Sequence, residues 1–486
     1  MTESTGKKIA INAVLNTIKT VLGLIFPLIS FPYVTRVLGV EKLGVYNFSS
    51  SVISYFLLIA GLGISTYGIR EGAQYREDKK LINSFVSELF SINMISTIFS
   101  YILLLLGLLF IPKFQDYSKS ILILSFEIIS TTLGAAWVCN IYEDFLFITI
   151  RTLAMQLISL ILTFIFVKKA DDIYVYLFIV VLSNSGSNIL NFFYIRRKYC
   201  KFHITLQMDW NRHFKPIMVI FLSSIAITIY VSADTTMLGF LTSDYDVGLY
   251  GVAVKIYNII KNILSALLIV LMPQFSLMFG RSEYEKSRNL FSKTFNILTV
   301  LMLPMITGLF MMSKDIVVLI AGSEYIEASD SLTLLSIAVL FSLYAYMYTQ
   351  CVLLPLKKEN IVFKATAISA VANIGLNFVL IPLGGIKAAA FTTIIAEAIT
   401  FFVSLSEGRK YIQLICIKKN LLSSLVGCFG IVVSCLICKN IERFMTRLCI
   451  SIIVSAFIYF AILIILKNDS LRELLKMIRR TKNQNC

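Results

Sequence analysis

Apolar residues run in blocks of about twenty along this chain, and polar residues collect in the short gaps between the blocks. Block length is the informative quantity, because a helix rising about 1.5 Å per residue needs about 20 apolar residues to cross about 30 Å of hydrocarbon. Open strands and loops leave backbone groups unsatisfied there, so helices are the expected form. Blocks ended by charge, proline or glycine predict fourteen spans: 9–35, 44–68, 82–111, 119–139, 145–167, 173–194, 216–241, 250–272, 294–320, 331–354, 361–382, 386–406, 421–438 and 447–466. The expected fold class is an all-α polytopic membrane protein with 14 transmembrane helices.

A second pattern lies over the first. "VLGVEKLGVYNF" begins at Val37 and "MLGFLTSDYDVGLYGVAVKI" at Met237, and each carries Leu-Gly, a few polar residues and then Gly-x-Tyr. Leu38, Gly39, Gly44 and Tyr46 answer to Leu238, Gly239, Gly248 and Tyr250. Each corner joins the first to the second span of a group of six. Two parallel six-helix repeats are therefore expected, since an even number of crossings returns the chain to the same side. The predicted organisation is a bundle over 1–195, a linker over 196–215, a second bundle over 216–406, two further helices in 407–466 and a basic tail over 467–486.

Composition changes the picture only in its solvent. The 486 residues are 57% hydrophobic and 15% charged, where a soluble domain carries about 25% charge. A net charge of +16 raises nucleic acid as a partner, but the bases sit in short clusters between spans and form no continuous stripe, so none is expected. Counted by side, 28 Lys and Arg flank the spans on the side of Met1 and 11 on the other, which predicts cytoplasmic termini. Lys7 and Lys8 precede an apolar run too long for a signal peptide, so a first span that stays in place is expected. Nine cysteines show no metal spacing and no disulfide framework; Cys428, Cys435 and Cys438 read as small membrane hydrophobes. The tail "SLRELLKMIRRTKNQNC" spaces Leu471, Leu474, Leu475 and Ile478 helically, as an interfacial helix on anionic lipid does; a purely solvated basic tail is the alternative.

Three stretches carry a family resemblance: "FPYVTRVLGVEKLGVYNFSSSVISYFLLIAGLGISTYGIRE", "WVCNIYEDFLFITIRTLAMQLISLIL" and "IAITIYVSADTTMLGFLTSDYDVGLYGVAVKI". Together with the span count they resemble the Wzx-type O-antigen and polysaccharide flippases of the multidrug/oligosaccharidyl-lipid/polysaccharide exporter superfamily. The resemblance implies two six-helix bundles around a central cavity. It also implies transport of undecaprenyl-diphosphate-linked oligosaccharide to the outer leaflet of a bacterial cytoplasmic membrane, with polysaccharide polymerase and other assembly proteins as partners. Relatives of that superfamily export drugs or other lipid-linked precursors, so an exporter of the same fold is the alternative.

Moving a diphosphate through hydrocarbon calls for cations and hydrogen-bonding groups around a wet path. Apart from charges at the outer ends of the spans, nine charged residues fall within them: Lys19, Arg151, Lys255, Lys261, Lys364, Glu88, Glu127, Asp234 and Glu397. Lys364 and Glu88 lie near span ends, where snorkelling suffices. Lys19 and Lys261 lie near span centres and are expected to meet the diphosphate, with Arg151 at the cytoplasmic mouth as a bidentate donor. Salt bridging of Arg151 to the turn Glu143–Asp144 is the structural alternative. Asn12 and Asn16 share a helical face with Lys19, and Asn258 and Asn262 one with Lys255, so these complete the expected substrate-binding set. Asn184, Asn188, Asn191, Asn373 and Asn377 add polar stripes that either line a lumen or join helices. Asp234, with Glu397 and Glu127 as alternates, is expected either to pair structurally with a neighbouring cation or to couple transport to protons or sodium. Gly61, Gly63, Pro27, Pro32 and Pro304 are the expected flexible points. No Walker A pattern is present to bind ATP, and no metal or other cofactor is predicted. A membrane polymerase or ligase would need a catalytic outer loop, whereas the longest loop, with His203 and His213, lies on the basic side; an enzyme is not expected.

Overall fold

The computed structural model describes residues 2–415 and 418–472, with side chains at residue 23 and from residue 26 onward within those ranges. Among the described residues every regular element is helical. Two arms of the helix Thr2–Gly61, parted at Gly39 (φ 73°), form α1 and α2. The crossings that follow are α3 (Lys79–Phe110), α4 (Ser118–Gly134), α5 (Phe145–Phe166), α6 (Ile173–Lys198), α7 (Trp210–Leu241), α8 (Asp244–Gly280), α9 (Tyr284–Met311) and α10 (Ala328–Tyr348). The helix Glu359–Gly408, parted at Gly385, supplies α11 and α12, followed by α13 (Lys418–Cys438) and α14 (Phe444–Ile465).

Among the described residues, eleven helices are long and apolar enough to cross a membrane. Two of the eleven bend at a glycine and hold two arms each, and the 17-residue Ser118–Gly134 makes the remaining crossing. Each of the fourteen expected spans thus has its helix. Gly63 (φ 75°) parts α2 from the short helix Ile64–Gly72, while Pro27 and Pro32 lie inside α1 and Pro304 inside α9.

Contacts divide the chain into two compact units, Met1–Gly248 and Leu249–Cys486. In the first, the segment after α6 is laid along α3. The amides of Lys201, His203 and Thr205 donate to Asn83 Oδ1 (3.0 Å), Ser87 Oγ (3.2 Å) and Ser91 Oγ (2.8 Å). Alternate residues of extended chain advance about 6.6 Å and helical residues four apart about 6 Å, so the two rows stay in register. The second unit repeats the device on α9: Arg288 Nε donates to the Gln413 carbonyl (3.1 Å), Ile415 N to Ser292 Oγ (3.0 Å) and Asn296 Nδ2 to the Ile415 carbonyl (3.5 Å). There too the side chains are spaced by four. Helices α13 and α14 pack on α9, where Tyr459 Oη donates to the Val300 carbonyl at 2.7 Å.

The twin corners meet inside the first unit. A Cβ on Gly44 would stand 1.8 Å from the Asp244 carbonyl oxygen, and one on Gly248 would stand 2.1 Å from that of Val40. Val40 is four residues before Gly44, and Asp244 is four before Gly248. Each corner therefore seats its glycine on the carbonyl that opens the other corner's helix, a reciprocal contact of the kind a local two-fold produces. Phe48 covers Gly239 beside it, and packs on Tyr117 and Phe240. The repeated motif is a backbone-to-backbone joint, which only residues without a side chain permit.

Candidate functional site

The second unit brings two of the expected residues together. Lys261 stands midway along α8 and Glu397 midway along α12. Lys261 Nζ lies 3.0 Å from Glu397 Oε1, and Tyr257, one turn before Lys261, donates its hydroxyl to the same oxygen at 2.7 Å. The carboxylate side chain is 5% exposed and the lysine 25%, so the acid sits behind the base and the base keeps an open side. Where α8 lies along α12 sets this pairing, and two turns before Tyr257 the same helices are joined again, through Tyr250 Oη and Thr393 Oγ1 at 3.1 Å.

Elsewhere on α8, Asn258 and Lys255 are half-buried and Asn262 is exposed; Lys255 is engaged with neighbours. The side chains of Asn12, Asn16 and Lys19 lie outside the described residues, as does the tail beyond Arg472.

In the first unit, Glu127 stands at the middle of α4 and accepts from Asn184 Nδ2 of α6 at 2.9 Å. Asp234 is buried and engaged on α7, beside a polar seam with α2 in which Ser54 donates to Ser232 (3.1 Å) and Tyr55 meets Thr236 (3.2 Å). Arg151 is 7% exposed; its Nη1 donates to the Ser187 carbonyl at 3.1 Å, its guanidinium lies 5.7 Å from the Phe147 ring centre, and its Nε has no partner. Among the described residues it makes no ion pair. The acidic turn is taken by other bases, Glu143 by Arg76 (3.2 Å) and Asp144 by Lys198 (2.9 Å).

One expectation is corrected. Glu88 does not snorkel: it lies 3.1 Å from Nε2 of the fully buried His213, whose Nδ1 meets Tyr67 Oη at 2.9 Å. These partners are 125 and 146 residues apart in the chain, so spacing gave no sign of them. Of the two readings of the α11 asparagines, the described contacts fit the joining of helices: Asn377 donates to Asn373 on its own helix (3.1 Å) and accepts from Thr392 of α12, all three buried. Tyr257 was missed as well, although its place four residues before Lys261 was a readable signal. Among the described residues no cluster of His, Cys, Asp and Glu could hold a metal ion.

Among the described residues the chain has a multi-pass, all-helical membrane fold with charged side chains at mid-helix. It is similar to the solved lipid II flippase MurJ in its inward closed conformation, with a TM-score of 0.72 and 16% identity over 96% of this chain and 100% of that one. The pattern of the family described as polysaccharide biosynthesis protein matches residues 8–279, and the chain belongs to that family. An O-antigen transporter of Escherichia coli (strain K12) is 23% identical over 52% of this chain and 61% of its own length. One of Shigella dysenteriae is 24% identical over 74% of this chain and 89% of its own.

Proposed function

We propose that this protein carries an oligosaccharide linked to undecaprenyl diphosphate from the inner to the outer leaflet of a bacterial cytoplasmic membrane by alternating access, with both termini cytoplasmic. The observation that carries the reading is the partly open Lys261 ammonium at mid-helix. A lone charge at that depth costs about 2.5–3.5 kcal/mol on insertion scales, so a lysine kept there with one side open is suited to an anionic cargo. Arg151 and Lys19 are proposed to join it on the diphosphate, with Asn12, Asn16, Lys255, Asn258 and Asn262 toward sugar hydroxyls. Asp234, Glu127 and Glu397 are proposed as sites for a coupling proton or sodium ion. The names of the relatives support the cargo class, and the excess of bases on one side supports the orientation.

The test is reconstitution in liposomes with a fluorescent polyprenyl-diphosphate oligosaccharide, following head-group accessibility. Lys19→Ala with Lys261→Ala should slow flipping at least about tenfold, or about 1.4 kcal/mol of lost stabilisation. An unchanged rate rejects the cationic path.

A further inference from the structure

Glu397 gives one oxygen to both Lys261 and Tyr257, and its second oxygen accepts no bond from any described residue. Of the three donors on the ammonium, one goes to Glu397 and one reaches Tyr257 Oη at 3.5 Å, which leaves a donor for the open side. Among the described residues the titratable groups facing the pair are Tyr257 on α8 and Tyr346 on α10; residues 365–381 of α11 contain none.

We propose that Glu397 is a resident counter-anion which a substrate phosphate displaces from Lys261, and that this competition sets how readily the substrate leaves. The inference rests on the reading that Lys261 meets a phosphate. An uncompensated ammonium in a low-dielectric site would hold a phosphate too tightly to release it, whereas a paired one yields only the difference between phosphate and carboxylate. Transport needs binding that is favourable on entry and weak enough for exit. Tyr257 is the positioning residue: its hydroxyl stays on Glu397 while Lys261 turns to the phosphate, so the carboxylate is never left without a donor.

The experiment uses the full chain in lipid nanodiscs, with inorganic pyrophosphate and farnesyl diphosphate as probes. Glu397→Gln keeps the shape and removes the competing charge. It should tighten probe binding by roughly 5–150-fold, the usual range for coupled sites, and slow turnover in liposomes. Lys261→Met with Glu397→Gln, which leaves no unpaired charge, should lose the gain. Tighter binding of both probes assigns the site to the diphosphate itself, and a gain confined to farnesyl diphosphate assigns it to a lipid-borne head group. Unchanged or weaker binding by Glu397→Gln, in protein whose melting temperature matches the unsubstituted chain, overturns the proposal. If binding tightens but the unsubstituted chain moves no lipid-linked oligosaccharide, the counter-anion stands and the transport reading falls.

Discussion

At Asp144, burial favours the protonated acid, but hydrogen bonds from Tyr194, Tyr199 and Lys198 outweigh it and hold the carboxyl down at about 2. A depressed carboxyl stabilises the fold above its ordinary value near 4, and that contribution is lost as pH falls through about 2. Asp144 ties the ends of α5 and α6 to Tyr199, which stacks on Tyr142 at 4.1 Å. The neighbouring Cys200 is buried, and burial pushes its thiol up to about 12. Asp144→Asn should loosen this end by about 1–3 kcal/mol. In a background retaining Cys200 alone, the substitution should speed thiol labelling at about pH 8, near the ordinary thiol range; an unchanged labelling rate would show that the aromatic stack holds the end by itself.

Between elements, the reciprocal joint of Gly44 and Gly248 leaves no room for a methyl group. Gly44→Ala or Gly248→Ala should force the helices apart and cost at least about 1–3 kcal/mol, read as a lower melting temperature. Gly375 on α11 has nothing among the described residues within 4 Å of its missing Cβ, so Gly375→Ala should be neutral or stabilising by up to about 1 kcal/mol. Equal melting temperatures for the three variants would mean that the joint carries no stability. The straps on α3 and α9 belong to the same scale, since each fixes a connecting segment through side chains four apart.

For the whole molecule, the proposed cargo makes a prediction about voltage. Two negative charges moving outward gain about 2.3 kcal/mol each per 100 mV of inside-negative potential. Flipping in liposomes should therefore accelerate when a potassium diffusion potential is imposed with the interior negative, and slow when its sign is reversed. A rate indifferent to voltage would mean that compensating charge travels with the substrate.

Block length and corner repetition determined the helices and their number, because a bilayer imposes one length on every crossing and leaves the backbone no other way to satisfy itself. Glu397 and Lys261 were legible as candidates, since charge at mid-span is costly wherever it occurs. Which side chains pair was decided only by tertiary structure: Lys261 with Glu397, His213 with Glu88, and Arg151 with a carbonyl instead of the nearby acidic turn. Partners more than a hundred residues apart meet through helix crossing, and crossing geometry leaves no periodic trace in the chain. The twin corners show both halves of this: their repetition is written in the sequence, and their mutual contact is not.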